Sequence, residues 1–325
     1  MNVLVSIHSP FVLWNIPPTH VARLRERFPS HEFLHATDSE TALSLIPDAD
    51  VAFSSLIGPA HFGAARRLRW VHSPAAGVGG MLFPEMVASP VMMTNGRGIS
   101  GDTIAEHVLA VTLALFRRLP QAIRSQAARE WAQNAISAAG NRQIAGSRCL
   151  LIGLGAIGQA TARRLTLLGA HVVALRKRAD QAVNGVSDVA SIDRLHDFLP
   201  SADVIVIAAP YTRQTRRIIG RPELSLMKRD AVLVNVSRGQ LVDEEALIDA
   251  LRSESIGAAA LDVFVDEPLP PESPFWTLPT VLITPHTSGM RPDYWDVAVE
   301  LFSENLRRFE RGEELLNVVD KNAGY

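Results

Sequence analysis

Cysteine is almost absent from this chain of 325 residues. The single one, Cys149, excludes an internal disulfide and any cysteine-rich metal centre, as expected of a protein from a reducing compartment. It stands in the apolar run CLLIG and reads as a buried strand residue rather than a nucleophile. A surplus of one charge is also missing, since 32 Lys and Arg stand against 34 Asp and Glu, for a net charge of −2. No whole-protein field is then available to draw in nucleic acid or an anionic membrane, so any anion binding has to be local. No stretch approaches the roughly 18 apolar residues of a membrane span, and the opening MNVLVSIHSP has neither the basic start nor the long apolar core of a signal peptide. A cytoplasmic protein without nucleic-acid or membrane partners is expected. The histidines, His72 and His107 among them, make no metal-like spacing with other ligands, so no metal is expected either.

What is present is a rhythm of short apolar runs and helical patterns, within a composition that is 47% hydrophobic. Val3 to Ile7, Phe33 to His35, Val51 to Phe53, Arg69 to His72 and Val91 to Thr94 read as short strands, and Pro18 to Phe28 as a helix. They make a small parallel α/β domain. From Asp102 to Leu119 the pattern predicts a helix that is apolar over most of its circumference, with Asp102 as N-cap and Pro120 closing it. Such a helix needs burial on several sides and belongs at a domain or subunit interface. A second strand series follows at Cys149 to Ile152, Val172 to Leu175, Val204 to Ala208, Val232 to Val236, Ala258 to Asp262 and Val281 to Thr284. Near-continuous Val, Ile, Leu and Ala runs are what a parallel sheet covered on both faces requires, and the spacing suits right-handed βαβ crossovers. The amphipathic stretch Trp295 to Arg311 and a short extended tail are expected to return to the first domain.

Within LLIGLGAIGQATARRLTLLG, Gly153, Gly155 and Gly158 lie directly between a buried strand and an amphipathic helix. GxGxxG alone is weak evidence, but these flanks make it a dinucleotide-binding pattern. Gly153 permits the tight turn, Gly155 lets the backbone approach a pyrophosphate, and Gly158 lets the helix press on its strand. The free N–H groups of the helix start, at Ala156 and Ile157, would hold the phosphate. A ligand-free glycine turn, or the related loop of a methyltransferase, shares the pattern. At the tip of the next strand an NAD site carries Asp or Glu, whereas here Arg176, Lys177 and Arg178 stand there. A carboxylate repels a 2′-phosphate and a guanidinium binds it, so NADP(H) is expected in preference to NAD(H), with Arg176 the leading contact. A solvated surface cluster that tolerates NAD is the alternative.

Three more segments end consecutive buried strands: NVSRGQLVDEEAL, LDVFVDEPLP and LITPHTSG. With GLGAIG, they resemble the D-isomer-specific 2-hydroxyacid dehydrogenases over nearly the whole chain, and among these the NADPH-preferring glyoxylate/hydroxypyruvate reductase type. That resemblance implies two doubly wound parallel-sheet domains, a Rossmann dinucleotide-binding domain (98–286) inserted into a flavodoxin-like substrate domain (1–97 and 287–325). It also implies hydride transfer between NADP(H) and a small 2-oxo or D-2-hydroxy acid. Arg238 would hold the substrate carboxylate and carbonyl oxygen, since only a planar charged fork orients both. His286 would donate the proton, and Glu267 would orient the imidazole and favour its protonated form. Asp262, Val236, Ser237, Pro210, Thr215, Ser288 and, in the helix after the first domain, Thr103 correspond to cofactor-facing positions, with Arg238 and His286 beside them. In SPAAGVGG the backbone N–H groups of Ala76, Gly77 and Val78 would take the substrate carboxylate; Gly79 stands where many members have an acid. The apolar helix from Asp102 corresponds to the dimer-forming element, so a homodimer is expected.

Taken singly, an Arg in a strand-to-loop turn is ordinarily a solvated charge, a Glu before Pro a loop residue, and a lone His a structural one. Their joint occurrence at consecutive strand ends beside a dinucleotide loop carries the catalytic reading. Trp70, Trp295 and Arg291 are candidate pocket walls, with an ordinary core role the alternative for Trp70. A cofactor-sensing, corepressor-like protein on the same fold is the competing function, against which the lack of basic extensions counts. A short-chain dehydrogenase is excluded, because Thr215 and Ala298 stand where the lysine partner of Tyr211 or Tyr294 would be.

Overall fold

The computed structural model describes residues 1–177 and 183–325. The chain divides into two compact units, Met1–Ile99 with Arg291–Tyr325, and Ser100–Met290.

The first unit is built on strands β1 (Asn2–Ser6), β2 (Glu32–Ala36), β3 (Val51–Ser54), β4 (Trp70–Ser73) and β5 (Met92–Asn95). All pair in parallel in the order β2-β1-β3-β4-β5, the flavodoxin-like arrangement. Successive side chains on β1 alternate between two cores, as the period of a strand requires. Val3 and Val5 pack with Phe53, Trp70 and the C-terminal helix residues Phe302 and Leu306, while Leu4 packs with Ala52, Val71, Ile46 and Met86. Trp70 is fully buried and stacks on Phe302 and Phe309, so it is a core residue and not a pocket wall. The helix Tyr294–Arg311 closes one face, and the tail returns to β5, where the Val319 N–H donates to the Met93 carbonyl at 2.8 Å.

The second unit carries β6 (Arg148–Ile152), β7 (His171–Arg176), β8 (Asp188–Ser191), β9 (Val204–Ile207), β10 (Val232–Asn235), β11 (Ala258–Leu261) and β12 (Val281–Ile283). Their order, β12-β11-β10-β9-β6-β7-β8, is wholly parallel and reverses direction between β6 and β9. That reversal opens a crevice at the carboxyl ends of the strands, where ligands of open α/β sheets bind. Leu150, Ile152, Ile205 and Ile207 face one core, and Cys149, Leu151, Val204 and Val206 the other. Burial pushes the Cys149 thiol up to about 11, so it is an inert core group.

Two expectations for the apolar helix are corrected. The helix runs from Gly101 to Phe116, with Ser100 at its N-cap. Asp102 lies in the first turn, where its carboxylate accepts from Arg164 Nη1 at 2.8 Å instead of capping the backbone. Pro120 does not end that helix. Arg118 turns the chain at φ 56°, and Pro120 opens a separate helix, Leu119–Ala127, because proline is best tolerated in a first turn.

Candidate active site

In the second unit, three neighbouring strands deliver side chains from their carboxyl ends. β10 leads through Ser237 to Arg238, which is extended and half-buried. Asn235 Nδ2 donates to the Arg238 carbonyl at 3.0 Å, and Ser237 Oγ donates to the Ala209 carbonyl, so the turn is tied to the neighbouring strand. Arg238 Nη1 donates to the Ser237 carbonyl at 2.6 Å, while Nε and Nη2 have no partner among the described residues. Burial pulls the guanidinium below its usual pKa, with Glu267 opposing the change.

β11 leads through Asp262 to Glu267, and β12 leads to His286. Glu267 Oε2 lies 2.6 Å from His286 Nδ1, and Oε1 accepts the Phe264 N–H at 2.9 Å. Burial works to raise the Glu267 pKa, but the His286 hydrogen bond, the Phe264 N–H and the charges of His286 and Arg238 outweigh it and hold the carboxylate low. His286 Nε2 has no partner among the described residues, and the side chain is 47% exposed, so one nitrogen is anchored and the other is open. The three residues therefore share one face of this unit.

His286 adopts φ 53°, a left-handed conformation that costs a non-glycine residue about 1–3 kcal/mol. Asp262 brackets it. Its carbonyl accepts the His286 N–H at 2.9 Å, and its Oδ1 accepts the Thr287 N–H at 2.9 Å and the Thr284 hydroxyl at 2.6 Å. Both carboxylate oxygens also receive the buried Ser288 N–H, at 3.2 and 3.1 Å. Behind them His107 Nε2 lies 3.2 Å from Thr284 Oγ1, and burial keeps His107 below its ordinary pKa against the pull of Asp262. The role of Thr284 and His107 escaped the sequence reading; the hydroxyl flanking the histidine in TPHTSG was the one available signal.

The glycine turn has the close approaches its pattern requires. Gly153 has φ 104°, and an added Cβ would lie 2.6 Å from the Ala209 nitrogen. At Gly158 it would lie 2.2 Å from the Gly153 carbonyl, so helix Ala156–Leu167 can press on β6 only without a side chain there. A Cβ on Gly155 would meet nothing within 4 Å. This leaves open room beside the first-turn N–H groups of Ala156 and Ile157, which a helix cannot satisfy internally. Arg176 ends β7 and Lys177 follows it exposed, neither with a carboxylate partner among the described residues. Arg178 lies outside the described residues. Pro210 is exposed, whereas the Thr215 hydroxyl turns inward, donating to the Pro210 carbonyl at 2.7 Å and accepting the Thr212 N–H at 2.8 Å. Val236 is buried beside Ser237, and Thr103 sits half-buried in the first turn of helix Gly101–Phe116. No helix among the described residues is long and apolar enough to cross a membrane.

In the first unit the loop after β4 is exposed at Ala76 and Gly77 and buried at Val78. The N–H groups of all three have no acceptor among the described residues. Trp295 and Arg291 belong to this unit as well. Trp295 is buried, its Nε1 donating to the Leu13 carbonyl at 3.1 Å, and Arg291 donates to the Ile99 carbonyl at 2.6 Å and to Asp293.

The sequence model of the D-isomer specific 2-hydroxyacid dehydrogenase NAD binding domain matches residues 109–288. The chain belongs to this dehydrogenase family. A glyoxylate reductase of Korarchaeum cryptofilum is 30% identical over 321 residues, covering 96% of this chain and 95% of its own. A D-3-phosphoglycerate dehydrogenase of Methanocaldococcus jannaschii is 31% identical over 284 residues, or 86% of this chain, which spans 53% of that longer relative. The crystal structure of an NADPH-dependent glyoxylate/hydroxypyruvate reductase from Sinorhizobium meliloti, in complex with NADP and sulfate, matches with a TM-score of 0.86. It is 27% identical, and the match covers 100% of this chain and 99% of that one. The matched region is the family's nicotinamide-cofactor domain, and relatives at similar identity carry the names of different dehydrogenases and reductases.

Proposed function

We propose that the protein reduces a short 2-oxo acid, such as glyoxylate or hydroxypyruvate, to the D-2-hydroxy acid, with NADPH preferred over NADH. The observation that carries this reading is the imidazole of His286, anchored at Nδ1 by Glu267 and without a partner at Nε2 among the described residues. A general acid needs one ring nitrogen fixed and the other free to give up its proton. In this reading His286 Nε2 protonates the substrate's carbonyl oxygen, and Glu267 holds the ring in place as its charge changes. The unspent donors of Arg238 grip the carboxylate and the carbonyl oxygen together. The N–H groups of Ala76, Gly77 and Val78, which have no acceptor among the described residues, bind the carboxylate.

The residues present suit a dinucleotide. Open space at Gly155, the helix-start N–H groups of Ala156 and Ile157, and the cations Arg176 and Lys177 answer to a pyrophosphate and a 2′-phosphate. Thr103, Pro210, Thr215, Val236, Ser237, Asp262 and Ser288 complete the proposed cofactor contacts. When bound, the nicotinamide supplies the hydride that reaches the carbonyl carbon.

The test is a panel of 2-oxo acids run with both cofactors, followed by nicotinamide absorbance. Turnover of glyoxylate or hydroxypyruvate is expected, with kcat/KM higher for NADPH. A preference of about tenfold or more for NADH would overturn the cofactor assignment. Cofactor binding without turnover of any 2-oxo acid would overturn the reductase and leave a cofactor sensor. A homodimer is part of the same proposal, supported by Leu113, Leu119, Ile123 and Trp131, which are exposed on helix Gly101–Phe116 and the segment after it. A monomeric mass by light scattering at micromolar concentration would contradict it.

A further inference from the structure

The loop after β4 is fixed by its carbonyl oxygens. The Pro74 carbonyl accepts the Tyr294 hydroxyl at 2.9 Å, the Ala75 carbonyl accepts the Gly96 N–H at 3.1 Å, and the Ala76 carbonyl accepts Asn95 Nδ2 at 2.7 Å. In a trans peptide the N–H of the next residue points opposite to the carbonyl. With the Ala75 and Ala76 carbonyls turned into the unit, the N–H groups of Ala76 and Gly77 are turned out of it, and no acceptor among the described residues competes for them.

Tyr294 differs from the other two anchors in coming from a distant part of the chain, the first residue of helix Tyr294–Arg311. Its ring is clamped between aromatic neighbours, with Trp14 edge-on at 5.1 Å and Trp295 at 5.3 Å. The residue is 8% exposed. Burial pushes its hydroxyl up to about 12, so it remains a donor throughout the neutral range. Gly96 faces the same carbonyl, since a Cβ there would lie 1.9 Å from the Pro74 oxygen. The Pro74 carbonyl is thus held in place by one hydroxyl and a close approach that admits no side chain.

We propose that Tyr294 is a positioning residue for substrate binding: by holding the Pro74 carbonyl it fixes the first peptide of the loop and so keeps the outward N–H donors of Ala76 and Gly77, which follow directly, aimed at a carboxylate. The inference rests on the 2-oxo acid reading above and assigns the alignment of its carboxylate loop to one side chain. Tyr294→Phe removes a single oxygen and keeps the ring packing.

The experiment compares the native protein, Tyr294→Phe and Gly96→Ala in steady-state reduction of glyoxylate at saturating NADPH. Oxalate, an unreactive carboxylate probe, is titrated calorimetrically into each NADPH-loaded protein. Tyr294→Phe is expected to raise both the KM for glyoxylate and the Kd for oxalate by about tenfold, the scale of one hydrogen bond. kcat should stay within about twofold and the Kd for NADPH unchanged. Gly96→Ala, if it folds, should show the same split, because its methyl displaces the same carbonyl. A lowered Tm in Tyr294→Phe with KM and oxalate affinity unchanged would make the hydroxyl merely structural and overturn the proposal, as would a fall in kcat alone. Oxalate binding that weakens in Tyr294→Phe, in a protein that reduces no 2-oxo acid, would sink the reductase reading and leave the positioning role intact.

Discussion

Two regions are proposed to hold the substrate acid, and they would use different parts of the amino acid to do it. The loop from Pro74 to Val78 offers main-chain N–H groups whose direction is set by where the neighbouring carbonyls are tied. The strand ends at Arg238, Glu267 and His286 offer side chains whose chemistry is set by residue identity. The first kind of site tolerates many sequences provided the backbone keeps its path. The second fails when one residue changes, even if the backbone is undisturbed.

The largest expected effect tests the side-chain half. His286→Ala should lower kcat by about two to four decades, the usual scale for a lost general acid, with the Kd for NADPH unchanged by calorimetry. Because the Ala76–Val78 donors are untouched, oxalate affinity should fall far less than kcat. Equal losses in both would mean that the two regions do not divide the work between binding and proton transfer.

A smaller effect, visible in the pH profile, is expected at the carboxylate beside the histidine. Burial would raise the Glu267 pKa, but the His286 hydrogen bond and nearby positive charges hold it low, so the carboxylate is ionised across the neutral range. The pairing it provides is present above its folded pKa and is lost only as pH falls through that value. Glu267→Gln removes the negative charge at every pH and leaves a neutral partner for the ring. If the ionised carboxylate holds the ring for proton transfer, native kcat should fall as pH drops through the Glu267 pKa, whereas Glu267→Gln should start lower and show no such fall. A profile that stays in place would detach Glu267 from the proton-transfer step.

The same contrast governs what was legible in the sequence. Cys149–Ile152 and Val204–Ile207 could be read as strands because both faces of a parallel strand are buried. GLGAIG, with Arg, Glu and His at successive strand ends, stood out because those residue types are costly or strained unless they are used. The strand Asp188–Ser191 passed unread, since DVAS is short, half polar and at the sheet edge. The break at Arg118 was missed because a left-handed arginine leaves no mark in composition. Asp262 read as a cofactor-facing acid, but its bonds to the Thr287 and Ser288 N–H groups depend on a loop 25 and 26 residues away. The bond from Tyr294 to Pro74 spans 220 residues, and no local pattern announces it.

The smallest expected effect is the one that most directly tests the backbone half. Ala76 is exposed, its carbonyl is held by Asn95, and its N–H has no acceptor among the described residues. Ala76→Ser adds a hydroxyl without altering either main-chain group or demanding a new backbone angle. If the loop works through its peptide groups, the KM for glyoxylate should stay within about threefold of the native value, in the range of a surface change that touches no buried partner. A change of tenfold or more would show that the side chain at this position meets the substrate. The loop would then be read by identity, like the strand ends of the other unit.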